Sequence, residues 1–288
     1  MARRAFLGAL AGAFLGAAAA RAAYAAFTRR PPVGDAETWE RTNHRGEPIT
    51  LLEGPAVVAG AGVAAAVVPG LPARVRAAVL LAVAGAGGLG AYDDLYGATS
   101  SKGFKGHLSA LAKGEVTSGA VKLLGIGVTG LAAAAATSRG PVDTAVNGAL
   151  VAGGANLANL FDLRPGRAVK AGLLAGAPLL AVGLRRDTPV PATLAALPIG
   201  AAVALLPEDL GERAMLGDAG ANALGALLGL AASVTLGRPG RLAVLGTVVA
   251  LTAASEKISF TRVIAGNPLL NRIDMLGRRP VEQAPGDR

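Results

Sequence analysis

Cysteine is absent from the 288 residues, which excludes disulfides, zinc–thiolate centres and thiol nucleophiles. Histidine occurs only twice, so a metal would have to be held by oxygen. Charge is also scarce. Asp, Glu, Lys and Arg make up 16% of the chain, against roughly 25% in soluble domains. Amphipathic stripes are missing as well, because the apolar residues come in long blocks. These shortages exclude an ordinary soluble domain. What is present fits a polytopic helical membrane protein: 52% hydrophobic residues and a mean hydropathy of +0.48. Much of that apolar content is Ala and Gly, which let helices approach closely inside a bilayer. No repeat or low-complexity segment stands out beyond this Ala/Gly bias.

The blocks predict an all-α, polytopic membrane protein of about nine transmembrane helices. They form a single integral-membrane domain over 1–288 that ends in a basic cytoplasmic tail, 263–288. The first span, Ala5 to Phe27, follows the basic Met1–Arg4 start and reads as an uncleaved anchor. The second covers Gly54 to Leu71. The third follows the uncharged run Ala77–Tyr92 and ends at Asp93. The fourth runs from Ser118 to Thr137, and the fifth ends in the stretch 156–167. The sixth is Val169–Leu184 and the seventh Thr188–Leu206. The eighth opens within 215–225, and the ninth ends near Glu256. Residues 28–53 read as a polar loop, either a connector with an interfacial Trp39 or a substrate-facing segment.

Counting Lys and Arg places seventeen on the loops after odd-numbered spans and nine on the other side. The excess puts the odd loops in the cytoplasm, with the N-terminus outside and the C-terminus cytoplasmic. Arg3 and Arg4, among the nine, count against that orientation. A multi-pass protein of the cell (inner) membrane follows, with its polar motifs on the cytoplasmic face. The formal charge of +9 suits anionic lipid head groups and phosphate-bearing ligands, and also the ordinary cytoplasmic excess of cations. Nothing points to nucleic acid.

The polar motifs sit at span ends on that one face. Asp93 and Asp94 are adjacent, and their mutual repulsion calls for a cation. A basic, glycine-spaced segment follows, with Lys102, Lys105, Lys113 and Lys122. Asn156 and Asn159 fall on one helical face, with Asp162 three residues on. Gly217-Asp218 opens the eighth span, where Gly220 and Gly225 permit close backbone approach. Carboxylates at membrane depth are costly and usually functional. Hard oxygen donors suit Mg²⁺, with Mn²⁺ as the alternative, and phosphates completing the shell. Each motif alone is as well explained by structure: interfacial Asp, helix-packing Gly, Asn between helices, Lys as positive-inside anchors.

The ordered set resembles the polyprenyl-phosphate N-acetylhexosamine-1-phosphate transferases, across about residues 40–262. Asp93-Asp94 with Gly97 is similar to that family's aspartate pair. Asn156-x-x-Asn159-x-x-Asp162 is similar to its nucleotide-sugar motif, and Gly217-Asp218-x-Gly220 to its metal motif. Asn43-x-Arg45-Gly46 is similar to its first cytoplasmic loop. The resemblance implies attack of a lipid phosphate oxygen on the β-phosphate of a UDP-N-acetylhexosamine, releasing UMP. It implies Asp94 and Asp218 as Mg²⁺ ligands and Asp93 positioning or deprotonating the lipid phosphate. Asn156, Asn159 and Asp162 would shape the nucleotide site. Lys102, Lys105 and Lys113 would contact phosphate, and Asn43 and Arg45 would face substrate. It also implies a homodimer. In the stretch 266–280, where the family often carries a histidine cluster, this chain has none; either Arg272 replaces that contact or the sugar differs. Two other readings follow from the same residues. One is a catalytically altered scaffold or regulator of envelope assembly, suggested by the lost histidines. The other is an ion-coupled transporter, disfavoured because the carboxylates lie at span ends and not at the midplane.

Overall fold

A computed structural model of the protein describes residues 3–97 and 117–280. Among them are nine long helices: α1 (Arg3–Phe27), α2 (Glu53–Val67), α3 (Ala73–Tyr96), α4 (Ser118–Ala135), α5 (Pro141–Phe161), α6 (Arg167–Arg185), α7 (Pro189–Leu210), α8 (Gly217–Thr235) and α9 (Arg238–Ser255). Two short ones follow, α10 (Phe260–Gly266) and α11 (Pro268–Met275). Five helices are long and apolar enough to cross a membrane: α1, α3, α4, α6 and α7. The bent pair α9–α10 makes six if it is one span, although the chain turns by 98° between its halves. The protein is therefore a nearly all-helical, multi-pass membrane protein.

Local chemistry sets the helix boundaries. Pro stands in the first turn of α5, α7 and α9, where a missing N–H costs nothing. The Thr117 hydroxyl accepts the Ala120 N–H and caps α4, and the Asn267 side chain accepts from Leu269 and Leu270 and caps α11.

Helix α8 is the axis of the bundle. All its residues are buried except Asp218 and Val234. It is too rich in Gly and Ala to read as a strongly apolar span, but neighbouring helices shield it from lipid, so it needs no apolar exterior. Small residues allow this enclosure. A Cβ on Gly225 would lie 2.1 Å from the Gly154 carbonyl oxygen of α5. One on Gly54, in α2, would lie 2.2 Å from the Leu216 oxygen. Backbones in contact at these distances gain dispersion that larger residues would forbid.

Consecutive long helices alternate in direction, and their ends form two distinct poles. At one pole the Ala5 N–H donates to Asp187 Oδ1 at 3.0 Å, and Arg241 pairs with Asp143 at 3.1 Å. The other pole gathers the C-terminal ends of α1, α3, α5, α7 and α9 and the N-terminal ends of α2, α4, α6 and α8.

Three expectations are corrected here. Residues 28–53 are not an open loop. They contain a short antiparallel hairpin, β1 (Glu40–Thr42) and β2 (Pro48–Thr50), so the chain is not wholly α. Trp39 is not interfacial: it is 1% exposed, packs with Leu51 and Leu52, and donates its indole N–H to the Val33 carbonyl at 2.8 Å. The expected basic tail is also folded as far as residue 280, because α10 and α11 pack back on the bundle through Asp274.

Candidate functional site

The first turn of α8 is where distant carboxylates meet. Gly217 has a φ of +59, a conformation that glycine adopts without strain. It turns the first N–H groups of α8 toward the end of α3. There Asp94 accepts the Asp218 N–H on Oδ1 and the Ala219 N–H on Oδ2, each at 2.9 Å. Asp94 thus caps α8 from another helix and places a negative charge at its positive end.

Asp93 points to a different partner. Its Oδ2 lies 2.9 Å from Lys122 Nζ, and the same ammonium also bonds Asp218 Oδ2. The Lys122, Asp93 and Asp218 side chains are 13%, 18% and 24% exposed, so the triad is recessed but reachable. The expected metal pair was Asp94 with Asp218. The structure brings these two residues together, but both Asp94 oxygens already accept backbone donors. The carboxylate that shares a cation with Asp218 is Asp93.

No group of three or more His, Asp or Glu among the described residues is placed to hold a metal. Magnesium does not require one, since it is commonly held by one or two carboxylates with phosphates and waters. Two hard oxygens already converging on one cation fit that chemistry.

The other expected residues fall around this centre. Asp162 follows α5, is buried, and accepts the Gly217 N–H, while its Oδ2 has no partner. Burial first, and then Asp209 and Asp218, push its carboxyl well above the ordinary value. Asn156 and Asn159 lie half-buried in the last turns of α5. Asn43 and Arg45 do not reach the triad. Both bind Glu212: Asn43 Nδ2 at 3.1 Å, and Arg45 Nε at 3.0 Å to both carboxylate oxygens. They brace the hairpin against the α7–α8 turn. The hairpin is nevertheless tied to the centre, because the Arg41 guanidinium donates to the Asp94 carbonyl. Lys102, Lys105 and Lys113 lie outside the described residues.

Two cavities open near this pole. An apolar groove of about 850 Å³ runs between α5, α6, α8 and α9, with Leu150, Leu228 and Val248 on its walls. A polar pocket of about 510 Å³ lies between the hairpin, the α5–α6 turn and α10–α11. Arg167 and Asp274 border both. Arg167 holds Asp274 through Nε at 2.7 Å and Nη2 at 3.0 Å, and bonds the Thr261 hydroxyl at 2.9 Å. Both side chains are 6% exposed. Burial works to raise the Asp274 carboxyl, but Arg167 and Arg278 outweigh it and hold it below its ordinary value. Arg272, expected to face substrate, is exposed and lines neither cavity; Arg278 does so instead.

Several residues of this pole were not picked out as site residues from sequence: Glu53, Lys122, Asp209 and Glu212. Lys122 had a signal, as the single charge within the apolar helix α4. The buried Glu53 and Asp209, with carboxylate oxygens lacking partners, had the same kind of signal, being acids at span ends. Glu212 had none, since it lies in a short turn. No protein-family model matches the chain, and no curated protein matches it.

Proposed function

We propose that the protein transfers an N-acetylhexosamine 1-phosphate from a UDP-sugar to polyprenyl phosphate and releases UMP, in synthesis of a cell-envelope glycan or peptidoglycan precursor. One observation carries the reading: Asp93 and Asp218, 125 residues apart in sequence, share a single ammonium beside the α8 N-terminus that Asp94 caps. In this reading the nine long helices all cross the inner membrane, the N-terminus is outside, and the pole with the triad faces the cytoplasm. The cation excess on that side supports the orientation. A homodimer is part of the same proposal.

The reaction forms a bond between a lipid phosphate oxygen and the β-phosphorus of the UDP-sugar, and breaks the bond from that phosphorus to the UMP oxygen. The lipid phosphate is already largely ionised near pH 7, so strong base catalysis is not required. Asp93 and Asp218 would hold Mg²⁺, which when bound neutralises charge on the pyrophosphate as UMP leaves. Lys122 adds a fixed positive charge beside the reacting phosphates. Asp94 keeps the first turn of α8 in place. Asn156 and Asn159 offer amide donors and acceptors to the nucleotide-sugar. The apolar groove is large enough for several isoprene units of the acceptor.

UMP release from purified protein with Mg²⁺, polyprenyl phosphate and a panel of UDP-N-acetylhexosamines tests this. Turnover with at least one sugar is expected, and loss of at least a hundredfold in Asp218→Asn and Asp93→Asn, as for removal of a group stabilising developing charge. Absence of UMP release across the panel would overturn it. Tight UDP-sugar binding without turnover would favour a non-catalytic role in envelope assembly, the reading suggested by the missing histidines in 266–280.

A further inference from the structure

The pole opposite the carboxylates holds most of the chain's net charge. Nine cations among the described residues lie there, all of them arginine, against two acids, Asp143 and Asp187. Nine against two is a surplus of seven, out of a net charge of +9. Both acids are already engaged. Asp187 accepts the Ala5 N–H at 3.0 Å, and Asp143 pairs with Arg241 at 3.1 Å. Two of the arginines are engaged as well. Arg241 donates to the Asn147 amide oxygen at 2.8 Å, and Arg76 donates to the Val68 carbonyl at 3.0 Å, just past the end of α2. The other seven are exposed, and their guanidinium groups have no hydrogen bond or ion pair among the described residues.

Their placement identifies the partner. Arg3 and Arg4 open α1, Arg74 opens α3 and Arg185 ends α6. Arg139 and Arg186 stand in the turns 136–140 and 186–188, and Arg238 opens α9 just after the turn 236–237. Turns this short keep each guanidinium at the end of a span, in the head-group layer. Exposed apolar side chains follow three or four residues on: Phe6 and Leu7 after Arg3, Val142 after Arg139, Leu242 after Arg238. A cation next to exposed apolar surface matches a lipid, whose acyl chain covers the one while its head group meets the other. A soluble acidic polymer leaves those apolar neighbours uncovered. The usual interfacial anchors are elsewhere: the single Trp and all three Tyr belong to the site pole.

We infer that this pole is a docking surface for anionic phospholipid head groups, gathered around the bundle end by the seven arginines that have no partner within the chain. Guanidinium suits that role. It stays charged in any surroundings, and its planar fork can hold two head-group oxygens at once. Each basic side chain at an anionic membrane surface adds to the attraction. The surface is separate from the carboxylate triad and from both cavities. The inference holds whichever leaflet this pole faces, and whether or not the protein turns over a UDP-sugar.

The test reconstitutes the full-length protein in phosphatidylcholine bilayers with a trace of spin-labelled phosphatidylglycerol or spin-labelled phosphatidylcholine. The motionally restricted fraction of each label reports which lipid touches the protein. The wild type should prefer phosphatidylglycerol about threefold at low salt, and less at high salt. Arg74→Gln, Arg139→Gln, Arg185→Gln and Arg186→Gln together remove four of the seven charges and no bond within the chain, so folding should be unaffected. That set should lose most of the preference, whereas the same four changed to Lys should keep most of it. A control set at the site pole, Arg29→Gln, Arg30→Gln, Arg262→Gln and Arg272→Gln, removes as many exposed charges and should keep most of it too. No preference in the wild type, a preference intact in the first glutamine set, or an equal loss in the control set would overturn the inference. Soluble polyglutamate that binds the wild type and not the first glutamine set, with no lipid preference in either, would also overturn it and reassign the pole to an acidic polymer.

Discussion

Lys122 is the residue whose removal tests the site most directly. Its ammonium is the cation between Asp93 and Asp218, and all three side chains are at least three-quarters buried. Lys122→Met keeps the length and apolar stem of the side chain and deletes the charge. Two recessed carboxylates then face one another uncompensated. Breaking a fully buried pair costs about 3–5 kcal/mol, and residual exposure of this triad brings the expectation to about 2–3 kcal/mol. For a chain of this size that is a fall of roughly 5–10 °C in the unfolding midpoint. Circular dichroism or intrinsic fluorescence in detergent would read it. Lys122→Arg, which keeps the charge, should lose far less. Two further results must accompany the fall. Adding Asp218→Asn to Lys122→Met should recover part of the loss, because only one carboxylate then remains, and contacting residues couple in such cycles. Millimolar Mg²⁺ should raise the midpoint of Lys122→Met more than that of the wild type, because the divalent ion takes the vacated position between the same oxygens. A midpoint within about 1 °C of wild type for Lys122→Met, or no Mg²⁺ stabilisation of either protein, would refute the idea that this triad is a cation site.

Other consequences are separable from that one. Gly217→Ala should destabilise by about 1–2 kcal/mol, since a Cβ there meets both Asp94 oxygens at 3.0 Å and the left-handed φ disfavours any L side chain; thermal unfolding reads it. Gly225→Val should abolish assembly of a folded, detergent-stable protein, because the added Cβ would overlap the Gly154 carbonyl at the most enclosed helix contact; size-exclusion behaviour after extraction is the measurement. Arg167→Met should release α10–α11, with a loss of about 3–5 kcal/mol for a pair broken at 6% exposure, seen as new proteolytic cleavage within 256–280. The Asp274 carboxyl is held below its ordinary value of 3.8, so its contribution is complete above that value and fades as pH falls through the lower folded one. Protection of α10–α11 should therefore persist at pH 5 and weaken only below about pH 4.

The long helices were legible because apolar runs bounded by Pro, Gly and charge are a local signal, and each expected span has a helix in its place. Their number of true crossings was less so. α8 is the instructive element: its Gly and Ala content weakens it as a span by composition, yet that same content lets α5, α3 and α2 enclose it. Enclosure is a property of neighbours and not of the segment. At the site, the identities of Asp93, Asp94 and Asp218 were legible as charges placed expensively at span ends. Their division of labour was not. Adjacent in sequence, Asp93 and Asp94 are about 100° apart around α3, so one reaches Lys122 while the other meets the α8 backbone. Which does which depends on the rotation of α3 against α8, set by the close approach of Gly90 to the Asp218 carbonyl, where a Cβ would lie at 2.3 Å. The same limit applies to Asn43 and Arg45. Their motif looks like a substrate loop, but Glu212, distant in sequence, claims both side chains. A polar residue's role is fixed by which partner arrives first in space, and a sequence lists the candidates without ranking them.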